Sequence, residues 1–531
     1  MRTHLSGNSL LLISAILCLI TCKSPVNNKV QEEPDNSWVE EMTIAQLQQG
    51  YKEGKYKITD VVKVYLDRII EIDKNGPQLN SIIEINPDAL QIAEELGREL
   101  AEGRIRGPLH GVPVILKDNI DTHDRMPTTA GATALRNSFP KTDSYVAKKL
   151  REAGAVIIAK SNLSEWANFR AMMSSSGWSG VGGQTKNPFV LDRNPCGSSS
   201  GSGVAVSANL CMMAIGTETN GSIVCPSNNN GIVGIKPTVG LISRSGIIPI
   251  SFTQDTPGPM GRTVEDVAIA LGALTGIDSS DTKTLASDGK YQTDYTTYLK
   301  RDGLNGKRIG LLKKAMGFSD KVDTLMIKAI NWLKANGAEV VEIEFQKGEN
   351  YDDASFEVML YEFKDGLNKY FAGLGDNTPV KSIKELIEFN KSDTVELRFF
   401  DQKLLEMADK KGDIESPEYK KALATMIKAT REDGIDKVMN NHKLDAIIAP
   451  TGSPAWKTDL LLGDHFVGGS SSLAAISGYP AITVPMGFVD DLPVGITFFG
   501  RAWSEPLLLK IAYCYEQGTK HRKAPKYIVS D

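Results

Sequence analysis

The chain has 531 residues, 41% of them hydrophobic, and 48 glycines, a composition typical of a globular α/β protein with a large core. Its formal net charge of −5 argues against a nucleic-acid partner, because phosphate binding requires a basic face and no long Lys/Arg run is present. We find no internal repeat and no convincing linker between Val39 and Lys526, so we expect residues 39–526 to form one domain.

The first 22 residues have the features of an export segment. Met1-Arg2 precedes an apolar run over 10–21, which is too short for a comfortable membrane span and fits a secretory signal. Leu19-Ile20-Thr21-Cys22 resembles a bacterial lipoprotein box, in which Cys22 would carry a lipid and become the mature N-terminus. Residues 23–38 are polar and predict a tether. We expect an exported protein, periplasmic or on the outer surface, either lipid-anchored or cleaved and released.

Four cysteines follow that segment: Cys196, Cys211, Cys225 and Cys514. So few cysteines in so long a chain do not make a disulfide scaffold, and we expect free buried thiols. No CxxC pair or His-rich pair suggests zinc, so we expect neither a metal nor a cofactor.

Strand and helix patterns alternate along the first part of the predicted domain. Apolar periodicity predicts helices over 43–50, 59–74, 86–100 and 144–153, and strands over 112–116 and 155–160. This βαβ-like alternation predicts a mixed, mostly parallel β-sheet covered by helices.

Lys117 stands at the end of the all-apolar strand predicted over 112–116. Side chains alternate along a strand, so Asp118 points to the other side and need not neutralise Lys117. Most lysines lie on the surface. A lysine at the carboxyl end of an all-apolar strand is a better candidate for a buried site.

Two Gly/Ser loops flank the short apolar segment 204–215. The first, 194–203, contains Ser198, and the second, 216–222, ends at Ser222. Such loops present backbone N–H groups with little side chain in the way, which suits the binding of a phosphate or of the oxyanion formed in acyl transfer.

The second half returns to strand and helix patterns after one long helical stretch. Residues 351–439 are charge-rich and predict a helical excursion over the sheet that shapes substrate access. Thr263-Val264-Glu265-Asp266 is a capping box that predicts a helix to Leu274. Strands are predicted over 231–236, 307–312, 339–344, 445–450, 481–485 and 495–500, and a last helix over 505–517.

Three kinds of chemistry use such loops. Residues 197–201 match G-x-S-x-G, but a turn precedes them where a Ser-His-Asp hydrolase needs a strand, and none of His442, His465 and His521 stands in a loop built for the partner role. A phosphate-binding loop would end in Lys-Ser or Lys-Thr, which is missing. The third is a serine nucleophile activated by a lysine that burial keeps neutral.

The sequence resembles the amidase signature family. The matching stretches occur in family order, and the similarity extends over roughly residues 40–520. They are GVPVILKD (111–118), CGSSSGSG (196–203), GTETNGSI (216–223), GIVGIKPT (231–238) and GYPAITVP (478–485). Within the family, SGWS (176–179), GGQT (182–185) and SFTQDTPGP (251–259) are most similar to bacterial peptide amidases.

The resemblance implies a single α/β/α layered domain around a mixed sheet, and a Ser–cis-Ser–Lys triad. At matching positions Ser222 is the nucleophile, Ser198 the bridging serine in a cis peptide with Gly197, and Lys117 the base. The oxyanion donors map to the backbone of Thr219, Asn220, Gly221 and Ser222. The implied activity is hydrolysis of an amide bond through an acyl-enzyme, on peptide C-terminal amides or other small carboxamides.

Two features of the sequence depart from the family pattern or leave a choice. Cys196-Gly197 and Asn220-Gly221 replace the usual Gly-Gly before each serine, although the adjacent glycine is kept. Met172 and Met173 match substrate-pocket positions of the family, and they equally fit a core or rim role.

Three other functions stay open at this point. The fold could serve a catalytically silent surface binding protein, to which the lipoprotein-like start and Asn220 lend support. A fatty-amide hydrolase is an alternative with the same chemistry. Membership of a transamidosome, which works on aminoacyl-tRNA together with partner chains, is disfavoured by the export signal and the acidic chain.

Overall fold

A computed structural model describes residues 36–345, 350–375 and 378–530. From Ser37 onward the described chain forms one compact unit. The predicted export segment, including Cys22, and nearly all of the predicted tether lie outside the described residues, and their boundaries stay predictions. Within the described ranges, none of the helices is both long and apolar enough to cross a bilayer.

One eleven-stranded sheet passes through this unit, with strand order β1-β3-β2-β6-β8-β7-β12-β13-β11-β9-β10. Its strands are β1 (Ile82–Ile85), β2 (Pro113–Lys117), β3 (Val156–Ser161), β6 (Met213–Glu218), β7 (Val233–Lys236), β8 (Thr256–Gly261), β9 (Arg308–Leu312), β10 (Glu339–Ile343), β11 (Ala446–Pro450), β12 (Ala481–Val489) and β13 (Leu492–Phe499). A separate two-stranded sheet pairs β4 (Trp178–Ser179) with β5 (Gly183–Gln184).

The mixed α/β architecture with flanking helices is confirmed, but the expectation of a mostly parallel sheet is wrong. Four pairings are parallel, β2 with β3 and β6, and β9 with β10 and β11. The other six are antiparallel. The reason is clearest at β12 and β13, which pair across the short turn between Val489 and Leu492, and a turn of that length can join only antiparallel strands.

Helices cover the sheet and extend beyond it. In the described ranges they are α1 (Ile44–Lys52), α2 (Ile58–Arg68), α3 (Ala89–Ala101), α4 (Tyr145–Glu152), α5 (Ser200–Ser207), α6 (Val224–Asn229), α7 (Val264–Leu274), α8 (Asp320–Ala335), α9 (Tyr351–Gly373), α10 (Ile383–Ser392), α11 (Lys403–Asp409), α12 (Pro417–Thr430), α13 (Asp436–His442), α14 (Ser472–Ser477) and α15 (Glu505–Thr519).

Local sequence explains where several helices begin. The Thr43 side chain accepts from the Gln46 N–H while the Gln46 side chain accepts from the Thr43 N–H, a capping box that opens α1. The Thr263 side chain accepts from the Asp266 N–H at the start of α7, which confirms half of the predicted capping box, while Asp266 Oδ1 accepts from the Ile44 N–H instead of making the reciprocal bond. Each such cap contributes about 1 kcal/mol.

The long predicted excursion is helical, running from α9 through α13. It has its own apolar cluster, in which Phe363 and Phe371 are fully buried. The cluster packs on the chain that follows β3, where the Phe169 ring lies 5.0 Å from that of Phe363 and the Trp166 ring 6.1 Å from that of Phe371. The excursion therefore supports the irregular segment after β3, and its predicted role in substrate access stays a prediction.

Candidate active site

Lys117, the last residue of β2, is fully buried between the two neighbouring parallel strands β3 and β6. Its Nζ atom donates to Ser198 Oγ at 2.7 Å, to Thr217 Oγ1 at 2.9 Å and to the Thr217 carbonyl oxygen at 3.2 Å. In the described part of the chain the amine makes no ion pair. Its partners are thus two hydroxyls and a carbonyl.

Burial controls the charge of this amine. Desolvation lowers the pKa of Lys117 from 10.5 to about 7, and the more distant carboxylates of Asp255 and Glu218 oppose that shift. Unlike a lysine with its usual pKa, Lys117 can therefore lose its proton near neutral pH. An uncharged amine beside a serine hydroxyl can accept a proton, which is what general-base chemistry requires.

Ser198 lies in the first Gly/Ser loop, just before α5. The Gly197–Ser198 peptide is cis, the geometry that the family resemblance implied. The Ser198 carbonyl accepts from the Ser164 N–H at 3.1 Å, and Ser200 Oγ donates to the Cys196 carbonyl at 2.6 Å. A Cβ at Gly197 would come within 2.2 Å of Ser164 Oγ, so only glycine fits before this serine.

Ser222 lies in the second loop, between β6 and α6, and is 8% exposed while Lys117 and Ser198 are fully buried. Its carbonyl accepts from the Ser199 N–H at 3.2 Å, which ties the two serine loops together. Glu218 Oε2 accepts from the Ile223 and Val224 N–H groups at 2.8 and 3.0 Å, which fixes the end of the loop where α6 begins. The structure thus joins Lys117 directly to Ser198, and joins Ser222 through its carbonyl to Ser199, the residue after Ser198.

The predicted oxyanion loop, 219–222, has unused backbone donors. Within the described ranges, none of its four N–H groups donates to an acceptor of the protein. Gly221 has a φ of +87°, which favours glycine, whereas Asn220 does not have a positive φ. The departure at Asn220 therefore falls where the backbone does not need glycine, whereas Cys196, the other departure, has a φ of +57°.

Side chains on both sides hold this loop. Thr219 Oγ1 donates to Asp255 Oδ1 at 2.6 Å. Ser471 Oγ donates to Asn220 Oδ1 at 2.7 Å, and Asn220 Nδ2 donates to Ser472 Oγ at 3.4 Å. Such anchoring restricts the movement of Thr219 and Asn220, and preorganised stabilisation of an oxyanion requires donors that are held in place.

Cys196 and Cys225 form a disulfide, so the expectation of free thiols is wrong for this pair. Their Cα atoms lie 5.9 Å apart although 29 positions separate them in the sequence. The fold brings them together because one precedes the Gly197–Ser198 peptide and the other follows Ser222 in α6. Cys211 and Cys514 are free and buried, as expected.

A cavity of about 300 Å³, the serine-side cavity, opens beside the two serine loops. Its lining includes Gly197 and Gly221, each of which precedes a predicted catalytic serine. The opposite wall comes from the segment after β11 and includes Trp456, Asp464 and Phe466. Sequence reasoning missed these three residues, because nothing in the irregular stretch 451–470 indicates that it folds over the serine loops.

A second cavity, of about 210 Å³, is lined by Asn119, Thr217 and Thr219, by the charged Arg244, Asp255 and Asp281, and by apolar residues that include Phe252. Asn119 Nδ2 donates to Thr217 Oγ1 at 3.0 Å, which orients the hydroxyl that contacts Lys117. The sequence contained a signal for Thr217, since it lies inside the matched stretch 216–223, but its contact with the lysine was not predicted.

Met172 and Met173 lie outside both cavity linings. They are 53% and 63% exposed, and their side chains meet solvent at the segment that precedes Ser176. Their role in substrate contact stays a prediction.

A second buried lysine occupies the neighbouring strand. Lys160, in β3, donates to the Ile120 carbonyl at 2.7 Å and to Thr128 Oγ1 at 2.9 Å, and lies 3.8 Å from Asp118 Oδ1. Asp118 thus faces away from Lys117 and pairs with a different lysine, which confirms the alternation predicted from the sequence.

Comparison with known proteins identifies related chains. A family model described as Amidase matches residues 60–509. A protein of Arabidopsis thaliana described as a probable amidase is 40% identical over 501 residues, which cover 92% of this chain and 92% of that protein. A glutamyl-tRNA(Gln) amidotransferase chain of Thermoanaerobacter pseudethanolicus is 33% identical over 500 residues, covering 92% of this chain and 98% of that protein. The solved structure of native peptide amidase from Stenotrophomonas maltophilia is 47% identical with a TM-score of 0.87, covering 92% of this chain and 99% of that chain.

Proposed function

This chain belongs to the amidase signature family and is an amide hydrolase, and we propose that it cleaves carboxamides through Ser222, Ser198 and Lys117. The observation that carries the proposal is the 2.7 Å contact between Lys117 Nζ and Ser198 Oγ, made by a buried amine whose pKa is about 7. A lysine at its usual pKa would be protonated at neutral pH and could not accept the proton of a serine.

The reaction proceeds by two acyl transfers. The Ser222 hydroxyl gives its proton to Ser198 Oγ as the Ser198 proton passes to Lys117 Nζ, and Ser222 Oγ bonds to the carbonyl carbon. The backbone N–H groups of 219–222 stabilise the oxyanion. The C–N bond then breaks, and the proton held by Lys117 returns through Ser198 to the leaving ammonia or amine. Water attacks the acyl-enzyme and releases the carboxylic acid.

For the substrate we propose peptide C-terminal amides or other small carboxamides. The 47% identity to a peptide amidase over nearly its whole length supports this class. Fatty amides are the alternative substrate class, and catalytic silence the alternative function.

The test is ammonia release from a panel of peptide amides, fatty amides and aryl amides. We expect turnover of peptide amides by the wild-type chain and its loss in Ser222→Ala, with Ser392→Ala, an exposed serine on α10, as the matched control. A serine-directed phosphonate should label Ser222 alone. Equal hydrolysis by Ser222→Ala would refute the nucleophile assignment, and the absence of both turnover and labelling would favour a silent binding protein.

For the location we propose export, with either lipid attachment at Cys22 or cleavage and release. The disulfide between Cys196 and Cys225 supports it, because disulfides persist in oxidising compartments. Cell fractionation with wild type and Cys22→Ser distinguishes the two forms. A lipid anchor predicts that wild type is in the membrane fraction and Cys22→Ser is released, and retention of unprocessed chain in the cytosol contradicts export.

A further inference from the structure

Exposed apolar side chains are concentrated at one place on the surface. Sixteen large apolar residues of the described chain are exposed, and six of them come from two short segments, 172–173 and 461–467. We call these six residues the apolar rim: Met172, Met173, Leu461, Leu462, Phe466 and Val467, exposed by 51% to 87%. Clustered exposure of this kind marks an interaction surface, whereas single exposed apolar residues are normal.

A hydrogen-bonded turn, residues 459–465, exposes Leu461 and Leu462 to solvent. Asp459 Oδ1 accepts from the Leu461 and Leu462 N–H groups at 2.8 and 2.9 Å, and Asp459 Oδ2 lies 3.1 Å from His465 Nε2. The Gly463 N–H donates to the Asp459 carbonyl at 3.2 Å. The turn is therefore held in shape by its own polar groups, and its leucines face water without being needed for its folding.

The apolar rim is continuous with the serine-side cavity. The Asp464 N–H donates to the Ser174 carbonyl at 3.0 Å, and Asp464 Oδ1 accepts from the Ser176 N–H at 2.9 Å, so the two segments are joined. Ser176, Asp464 and Phe466 line the cavity, and the Phe466 ring lies 5.8 Å from the Trp456 ring on its wall. The chain over 172–176 and the chain over 461–467 thus each supply both cavity lining and exposed apolar surface.

We infer that the apolar rim binds the apolar side chains of an extended peptide whose C-terminal carboxamide occupies the serine-side cavity. The inference rests on the proposed function and narrows its substrate class to peptide amides with apolar residues before the amidated one. Because Phe466 belongs both to the cavity lining and to the rim, a peptide amide longer than the cavity can extend across this surface, and burying leucine side chains there favours apolar sequences.

The charges near the rim favour a peptide over a lipid surface. Membrane-surface segments combine apolar residues with Lys and Arg that attract anionic lipids. The turn carries the carboxylates of Asp459 and Asp464, and Lys457, the nearest basic residue along the chain before it, is paired with Asp192 at 3.2 Å. A second copy of the chain is the remaining competitor, and solution measurements distinguish it.

The experiment compares kcat/KM for leucyl-leucyl-alaninamide and seryl-seryl-alaninamide. We expect wild type to prefer the apolar peptide by about tenfold, mainly through KM. The double variant Leu461→Ser/Leu462→Ser should bring the ratio to within about twofold of one. The matched control is Ile105→Ser/Val529→Ser, which changes two residues that are 53% and 76% exposed and lie outside the rim, and should keep the wild-type ratio.

Each outcome decides the inference. If both peptides are hydrolysed with a ratio near one, or if the rim variant keeps the preference, the inference is wrong and the proposed function stands. If neither peptide amide is hydrolysed while another carboxamide is, the peptide part of the proposed function falls as well. Cosedimentation with anionic phosphatidylglycerol vesicles, or a concentration-dependent dimer, that disappears in the rim variant while the peptide ratio persists would assign the rim to a membrane or to a second copy.

Discussion

Two fully buried lysines on adjacent parallel strands have opposite surroundings. Lys117 ends β2 and contacts Ser198 and Thr217, groups that bear no charge. Lys160, one strand away in β3, lies 3.8 Å from the carboxylate of Asp118. Burial lowers the pKa of both amines, but at Lys160 three neighbouring aspartates, Asp118 first, oppose the shift at close range.

The difference shows that burial alone does not make a lysine a base. An amine beside a carboxylate is part of an ion pair, and such a pair is costly to break because the remaining charge stays buried. An amine beside hydroxyls has no charge to compensate and can release and accept protons near neutral pH. The same residue type at equivalent strand ends is thus expected to serve structure in one case and chemistry in the other.

The largest expected effect is a loss of activity when the amine of Lys117 is removed. Lys117→Met should lower kcat/KM by about 10²- to 10⁴-fold, the usual contribution of a general base. Its melting temperature should not fall, because Lys117 has a lower pKa folded than unfolded, so the unfolded chain binds more protons between about pH 7 and 10.5 and the amine opposes folding there. Amide hydrolysis and thermal unfolding of the same preparation measure both quantities. Wild-type kcat/KM in Lys117→Met would remove the base assignment.

The reciprocal change tests stability. Lys160→Met leaves Asp118 buried without its amine, and we expect a loss of about 3–5 kcal/mol in the free energy of unfolding. Denaturant unfolding gives this number, and activity per folded molecule should stay within about threefold of wild type because Lys160 does not contact the serine loops. The double variant Lys160→Met/Asp118→Asn, which removes both charges, should recover part of the lost stability. An unchanged unfolding midpoint in Lys160→Met would contradict the structural role.

The surroundings of Lys117 also predict how kcat/KM depends on pH. Since the pKa of Lys117 is lowered to about 7 and we propose the neutral amine as the active form, kcat/KM should fall as the pH drops through 7, by about tenfold per unit below pH 6. A pH–rate profile on an uncharged peptide amide measures this limb. Activity that is constant from pH 5 to 8, in an enzyme that stays folded, would show that the group titrating there is not the base.

The smallest expected effect comes from removing the charge of Asp255, which influences the pKa of Lys117. Asp255 contributes the largest electrostatic opposition to the lowered pKa of Lys117, so Asp255→Asn should move the acid limb to lower pH by less than about one unit. Thr219→Val is the matched control, because it removes the 2.6 Å hydrogen bond to Asp255 and leaves the carboxyl group in place. If both variants leave the limb in place, Asp255 acts only by anchoring the oxyanion loop.

Much of this arrangement could be predicted from the sequence, because local patterns determine it. The apolar strand before Lys117, the glycine beside each serine and the N-cap at Thr263 depend on neighbouring residues, and most of the predicted helices begin and end within a few positions of their predicted bounds. The predicted roles of Lys117, Ser198 and Ser222 came from the family resemblance, and the structure brings the lysine and the bridging serine into contact.

Features that depend on distant parts of the chain could not be predicted. Whether neighbouring strands in the middle of the sheet run parallel or antiparallel depends on which strands pair. Contacts between distant parts of the chain decide that pairing. The pairing of Cys196 with Cys225 requires the two serine loops to be adjacent, which spacing alone does not indicate. Asp464 and Phe466 reach the cavity only because the segment after β11 folds back over α6, and no periodicity marks that contact.

The disulfide between the two serine loops has a consequence for how the protein is made. Cys196 and Cys225 become neighbours only when both loops have reached their final positions, so bond formation reports correct assembly of the centre. A chain synthesised under strongly reducing conditions lacks this link, and a preparation from a bacterial cytosol would contain reduced molecules. The number of free thiols should therefore be measured by titration before any assay, and oxidative refolding is a way to form the disulfide in reduced molecules.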